Sequence, residues 1–212
     1  MNVGIGEWIV IGISVMIGAW FVIGGLDNNR RADRIFAWLH KGLADFGKLG
    51  GARRLDPSTV SMTLTSEESE RRLPRLEATL NLERHENLLL WLFQSLVYHK
   101  RDLLILKTNL ENSPHGELHA LVKGDKATFK ALNSDENHPL TLRSEQAGLN
   151  LYTFASGDKT AQAALEALIT HYPGCFTRIS LSPKSPHLTA HVLLGKVVKH
   201  DPQEFFRMLS GL

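Results

Sequence analysis

One cysteine, Cys175, stands in a chain of 212 residues. No internal disulfide can form, which excludes a disulfide-stapled scaffold and fits a reducing compartment. The 8 prolines and 17 glycines are too few for a collagen-like or low-complexity chain. Neither sign of charge dominates, since 24 Lys and Arg against 22 Asp and Glu leave +2. Any strong field must therefore come from uneven placement. The G-x-S-x-G elbow, the G-x-x-x-x-G-K-[ST] phosphate loop, H-E-x-x-H and C-x-x-C are all absent. Gly157-Asp158-Lys159-Thr160 lacks the upstream glycine and the Gly-Lys pair of a phosphate loop, and reads as a turn and helix cap.

What the chain does have is a long uncharged run, 19 residues from Trp8 to Leu26. As a helix it reaches ~28 Å, close to the hydrocarbon thickness of a bilayer. Ser14 is its one polar side chain besides the tryptophans, whereas a buried core helix would show a polar edge. A cleaved signal peptide fits less well, because Glu7 and no Lys or Arg precedes the run and no A-x-A-like site follows it. Residues 28 to 54 carry seven basic side chains against Asp33 and Asp45, a local +5 that predicts a cytoplasmic C-terminal bulk and an external N-terminus at the cell membrane. Ser14 and Gly18, with Gly25 one heptad on, form a small-residue stripe that a second helix could approach.

After this anchor, residues 1–27, the spacing of Ile35, Leu39, Leu43 and Phe46 predicts an amphipathic helix with Trp38 beside the stripe. A basic flank and a tryptophan next to a spanning segment suit a helix lying among lipid headgroups; packing on the soluble domain is the alternative. Gly47, Gly50 and Gly51 read as a linker, so residues 28–54 form a juxtamembrane segment and 55–212 a cytoplasmic domain. That domain carries 17 basic and 18 acidic side chains. It shows no basic stripe interleaved with aromatics, and nucleic-acid binding is not expected.

Residues 114–119 read PHGELH and 186–191 read PHLTAH, each running into an apolar segment and then an aspartate that opens a short helical stretch. These matches in one order predict an internal duplication, units of about 75–134 and 149–212. Strand alternation (Leu76, Ala78, Leu80, Leu82), a Pro- and Gly-free helix (87–99 and 159–171), and two further strands joined as a hairpin predict β-α-β-β-α in each unit. Val60, Met62 and Leu64 alternate as one additional strand that suits an edge. The fold expected is α+β: a single N-terminal transmembrane helix followed by a soluble domain of two such repeats.

Four histidines recur at repeated places, His115, His119, His187 and His191, on the more polar side of their strands. Positions i and i+4 on a strand lie ~13 Å apart, too far for two of them to share an ion with bonds near 2 Å. Exposed histidines carried along with the repeat are therefore expected, with no metal or other cofactor. Cys175 follows His171 by four residues across a Pro-Gly turn and reads as a small buried hydrophobe. The segment 87–99 is apolar around more than half of its helical wheel, so Leu90, Trp91, Phe93 and Val97 are candidates for a second contact surface, between the units, with a partner or with the membrane. The function this predicts is a bilayer-anchored, non-enzymatic binding, scaffold or accessory subunit with a protein partner or a second copy. The alternatives are a metal-dependent enzyme or sensor on the histidine face, or small-ligand binding between the units.

Overall fold

The computed structural model describes residues 4–46, 48–56, 59–65, 75–82, 101–133, 140–153 and 158–212. It opens with α1, Ile5–Leu43, an unbroken helix of 39 residues and ~58 Å. Strands β1 (Lys48–Asp56), β2 (Thr59–Thr65), β3 (Arg75–Asn81), β4 (Leu103–Thr108) and β5 (Leu118–Val122) follow. Then come α2 (Lys126–Leu132), β6 (Thr141–Gln146), β7 (Leu149–Thr153), α3 (Lys159–His171), β8 (Phe176–Leu181), β9 (Leu188–Leu193), α4 (Leu194–Val197) and α5 (Pro202–Leu209). The protein is α+β, with one nine-stranded sheet in the order β1-β2-β3-β4-β9-β8-β5-β7-β6. Every neighbouring pair is antiparallel.

Local signals account for several element ends. Asp158 accepts from the backbone N–H groups of Thr160 and Ala161 at the start of α3. Asp125 does so from Thr128 for α2, and Asp201 from Glu204 for α5. Each satisfies donors that a helix start leaves without intrahelical partners. Ala147 and Gly148, both at positive φ, make the tight turn between β6 and β7. That backbone matches the twist of a two-residue hairpin and leaves glycine the natural occupant of the second position.

Side chains alternate across the sheet, so its two faces can be read row by row. One face carries Leu76, Ala78 and Leu80 of β3, Leu104 and Leu106 of β4, Leu188, Ala190 and Val192 of β9, and Ile179 and Leu181 of β8, all buried. They form a single hydrophobic cluster with Leu165, Leu168 and Ile169 of α3 and Phe205, Phe206 and Leu209 of α5. Ile35, Trp38, Leu39 and Leu43 of α1 belong to the same cluster. The stripe expected among headgroups is therefore part of the domain core. Burying such a side chain is worth about 1.5–3 kcal/mol, and a polar headgroup layer offers Leu39 no equivalent shelter.

Two further expectations change. The glycine-containing stretch read as a linker falls in β1, which takes the edge of the sheet and leaves β2 inside it. The hairpin expected in each unit forms only once, as β8-β9. In the first unit β4 pairs with β9 and β5 pairs with β8, so the second hairpin lies between the strands of the first. The predicted helix at 87–99 lies outside the described residues.

The α1–α5 contact is tight. Trp38 lies 5.6 Å, ring centroid to centroid, from both Phe205 and Phe206, and its indole N–H donates to His200 O at 3.1 Å. A Cβ on Gly42 would stand 2.6 Å from Phe206 Cδ2 and 2.8 Å from Pro202 Cβ, whereas one on Gly18 would meet nothing within 4 Å. Gly42→Val should cost about 1–3 kcal/mol by overpacking, offset only by the few tenths that separate valine from glycine in helix propensity. Thermal melting of the full chain in detergent should place Gly42→Val below both the parent and Gly18→Val; equal midpoints would refute the close approach.

Candidate functional site

The opposite sheet face is polar. Strand register lines up Glu77, Lys107, Thr189, Ser180, His119 and Tyr152 as one row across five strand boundaries. Ile105, His191, Arg178 and Leu121 form part of the next row. Phe129 of α2 packs on Tyr152 at a centroid distance of 4.9 Å, covering this face near β7.

The four histidines are not equivalent. His115 is exposed. His187 sits before β9, where the Leu110 backbone N–H donates to its Nδ1 at 3.2 Å. His191 is half-buried in mid-strand. His119 is 5% exposed, correcting the expectation of a solvated imidazole. His119 Nδ1 lies 3.0 Å from Ser180 Oγ, and its Nε2 is 3.7 Å from Glu117 Oε2. Arg178 Nε also donates to Ser180 Oγ, at 3.1 Å.

Burial pushes the His119 imidazole below its usual range; Glu117 pulls the other way, and Arg178 adds to the lowering. His191 is lowered by burial first, then by Arg178 and Lys107. Both rings therefore favour the neutral form, in which each can accept and donate one hydrogen bond. His119 and His191 stand on strands separated by β8, ~9–10 Å apart at the usual strand spacing. Among the described residues no group of three or more His, Cys, Asp or Glu is placed to hold a metal ion.

Cys175 is buried, and burial raises its thiol above the usual range while the Lys196 ammonium partly offsets this. The nearby imidazole is turned elsewhere, since His171 Nε2 pairs with Glu204 Oε1 at 3.3 Å. Among the described residues no thiol–imidazole pair forms.

On α1, the Ser14 hydroxyl donates to Val10 O at 2.9 Å. Gly18 and Gly25 have open space where a side chain would stand, so the stripe is unoccupied by any described element. Leu90, Trp91, Phe93 and Val97 lie outside the described residues.

A cavity of about 340 Å³ opens where α1 meets the domain, lined by Arg31, Arg34, Ile35, Trp38, Asp102, Leu194, Gly195 and Val198. Arg31 Nη1 donates to Asp102 Oδ2 at 2.7 Å, and its Nη2 donates to Asn28 Oδ1 at 2.6 Å. The helical spacing of Arg31, Arg34 and Trp38 is visible in the sequence. Asp102 and the α4 residues are not, because nothing local links them to α1.

Neutral, buried histidines have a consequence in acid. The unfolded chain titrates its histidines near pH 6.5, so it binds more protons than the folded one below that pH, and stability falls as pH drops. The carboxylates held low act further down, below about pH 4.5: Asp158 by the Ala161 N–H, Glu166 by the Ser144 hydroxyl and Asp201 by the Glu204 N–H. Melting temperature should therefore decline between pH 7 and 5.5, and His119→Gln combined with His191→Gln should flatten that decline. An unchanged slope in the double variant would refute the buried neutral state.

No protein-family model matches the chain, and no curated protein is significantly similar to it, so charge, burial and fold must indicate its role.

Proposed function

We propose that the chain is a single-pass membrane protein, N-terminus outside and domain in the cytoplasm, that works by binding as a scaffold or accessory subunit of a membrane complex. The observation that carries this reading is the division of one unbroken helix into two environments. Between Trp8 and Leu26 most of its large apolar side chains are exposed, Trp8 at 64% and Phe21 at 61%, with Trp20 half-buried, whereas Leu39 and Leu43 are at 0% and 1%. A core helix of a water-soluble protein would bury that first half, and water disfavours it by ~25 cal/mol for each Å² of apolar surface. One helix among the described residues is long and apolar enough to cross a membrane. The basic flank that follows supports the cytoplasmic placement.

A cleaved leader fits this arrangement less well, because the helix that would be cut continues without interruption into the core. A duplication of units 75–134 and 149–212 also belongs to this reading. Its support is the shared order of strands and terminal helix, with capping Asp125 and Asp201 after corresponding strands.

The full chain should stay in the membrane pellet after alkaline carbonate washing, and a reporter fused after Leu212 should behave as cytoplasmic. Release into the wash would overturn the spanning helix, and an externally active reporter its orientation. Purification in gentle detergent should yield a stoichiometric partner or a defined oligomer; a solitary monomer would count against the scaffold role.

A further inference from the structure

The geometry points to the cavity between α1 and α4 as the seat of an anionic phospholipid headgroup, an inference that rests on the membrane-spanning reading above. The first argument is position. Arg31 follows Leu26, the last residue of the apolar run, by five residues, or ~7.5 Å of helix. The polar layer on each side of the hydrocarbon is ~5–8 Å thick, so the cavity mouth lies at phosphate level. Arginine side chains reach back toward that layer along their aliphatic stems.

Charge is the second argument. Arg31 spends its charge inside the protein, on Asp102 at 2.7 Å and Asp27 at 3.3 Å. Arg34 does not: its Nε donates to the Arg30 carbonyl at 3.3 Å, and among the described residues no carboxylate lies within ion-pair reach of it. The cavity therefore offers a guanidinium outside any ion pair among the described residues, a planar fork suited to a phosphodiester. The third argument is the remaining wall, Ile35, Trp38, Leu194 and Val198. Val198 is 38% exposed, an apolar lip beside the helix along which acyl chains would run. A free phosphate would gain nothing from such a wall, whereas the glycerol portion of a lipid would.

Full-length protein purified from vesicles of phosphatidylcholine and phosphatidylglycerol should carry phosphatidylglycerol enriched over its share of the bilayer. Arg34→Gln should reduce the enrichment about fivefold, the effect one arginine exerts at an anionic surface. Arg30→Gln, the same loss of charge at an exposed site that does not line the cavity, should leave it nearly intact. Equal losses in the two variants would overturn the site in favour of general surface attraction, and an absence of enrichment in the parent would overturn it outright. Displacement of the lipid by millimolar glycerol phosphate would overturn the commitment to a bilayer lipid. Vesicle flotation after alkaline washing, run on the same samples, separates the two readings: protein that floats without enrichment refutes the lipid site alone, and protein that fails to float refutes the spanning helix.

Discussion

The contact of Trp38 and Gly42 with α5 is the constraint on which the rest of the molecule depends. It converts the second half of a single helix from an exposed amphipathic segment into core. Because α1 has no break between Leu26 and Ile35, fixing its end on Phe205 and Phe206 also fixes the direction in which the apolar half leaves the domain. A flexible linker would let the domain tumble relative to the apolar half of α1. A continuous helix holds the two in one relative orientation, and the polar contacts Arg31–Asp102 and Lys41–Asp201 set rotation about the helix axis. Lys41–Asp201 is a modest contributor at the surface, whereas Arg31–Asp102 is largely buried beside the aromatic cluster.

The sheet imposes a second unity. Since β4 pairs with β9 and β5 with β8, neither half of the domain can close its own hydrogen-bond ladder. Separating the halves would break the β4-β9, β5-β8 and β5-β7 pairings, leave their backbone donors and acceptors unpaired and open the common core. On the polar face His119 is buried with the Ser180 hydroxyl and the Glu117 carboxylate against its ring. The hydroxyl of Ser180, shared with Arg178, provides the ring with a partner that makes this burial tolerable.

Much of the local architecture was legible in the chain. Alternation of Leu76, Ala78, Leu80 and Leu82 marked β3, and Asp158 with the spacing of Ala161, Leu165 and Leu168 marked α3. Other elements were not legible. The turn of β6-β7 uses Ala147-Gly148 rather than the usual Asn-Gly, so the hairpin carried no familiar signal. Residues 48–56, with adjacent glycines, read as a linker because strand propensity is weak there, yet pairing with β2 supplies what propensity lacks. Of the junction cavity, Arg31, Arg34, Ile35 and Trp38 were recognisable as a helical pattern; their acidic counterpart, Asp102, was not.

The amino-acid sequence by itself determined the apolar run, the basic flank behind it, the helix caps and the face each strand would bury. These are short-range properties, decided by periods of two and 3.6 residues and by side chains bonding their own backbone neighbours. Tertiary structure alone decided that the amphipathic stripe packs on α5 instead of among headgroups, that β8-β9 inserts between β4 and β5, and that His119 is buried while His115 is not. Each of those outcomes compares alternatives of similar local quality. The choice between them falls to the total apolar area covered and the backbone groups satisfied when segments from about 60 to 160 residues apart come together.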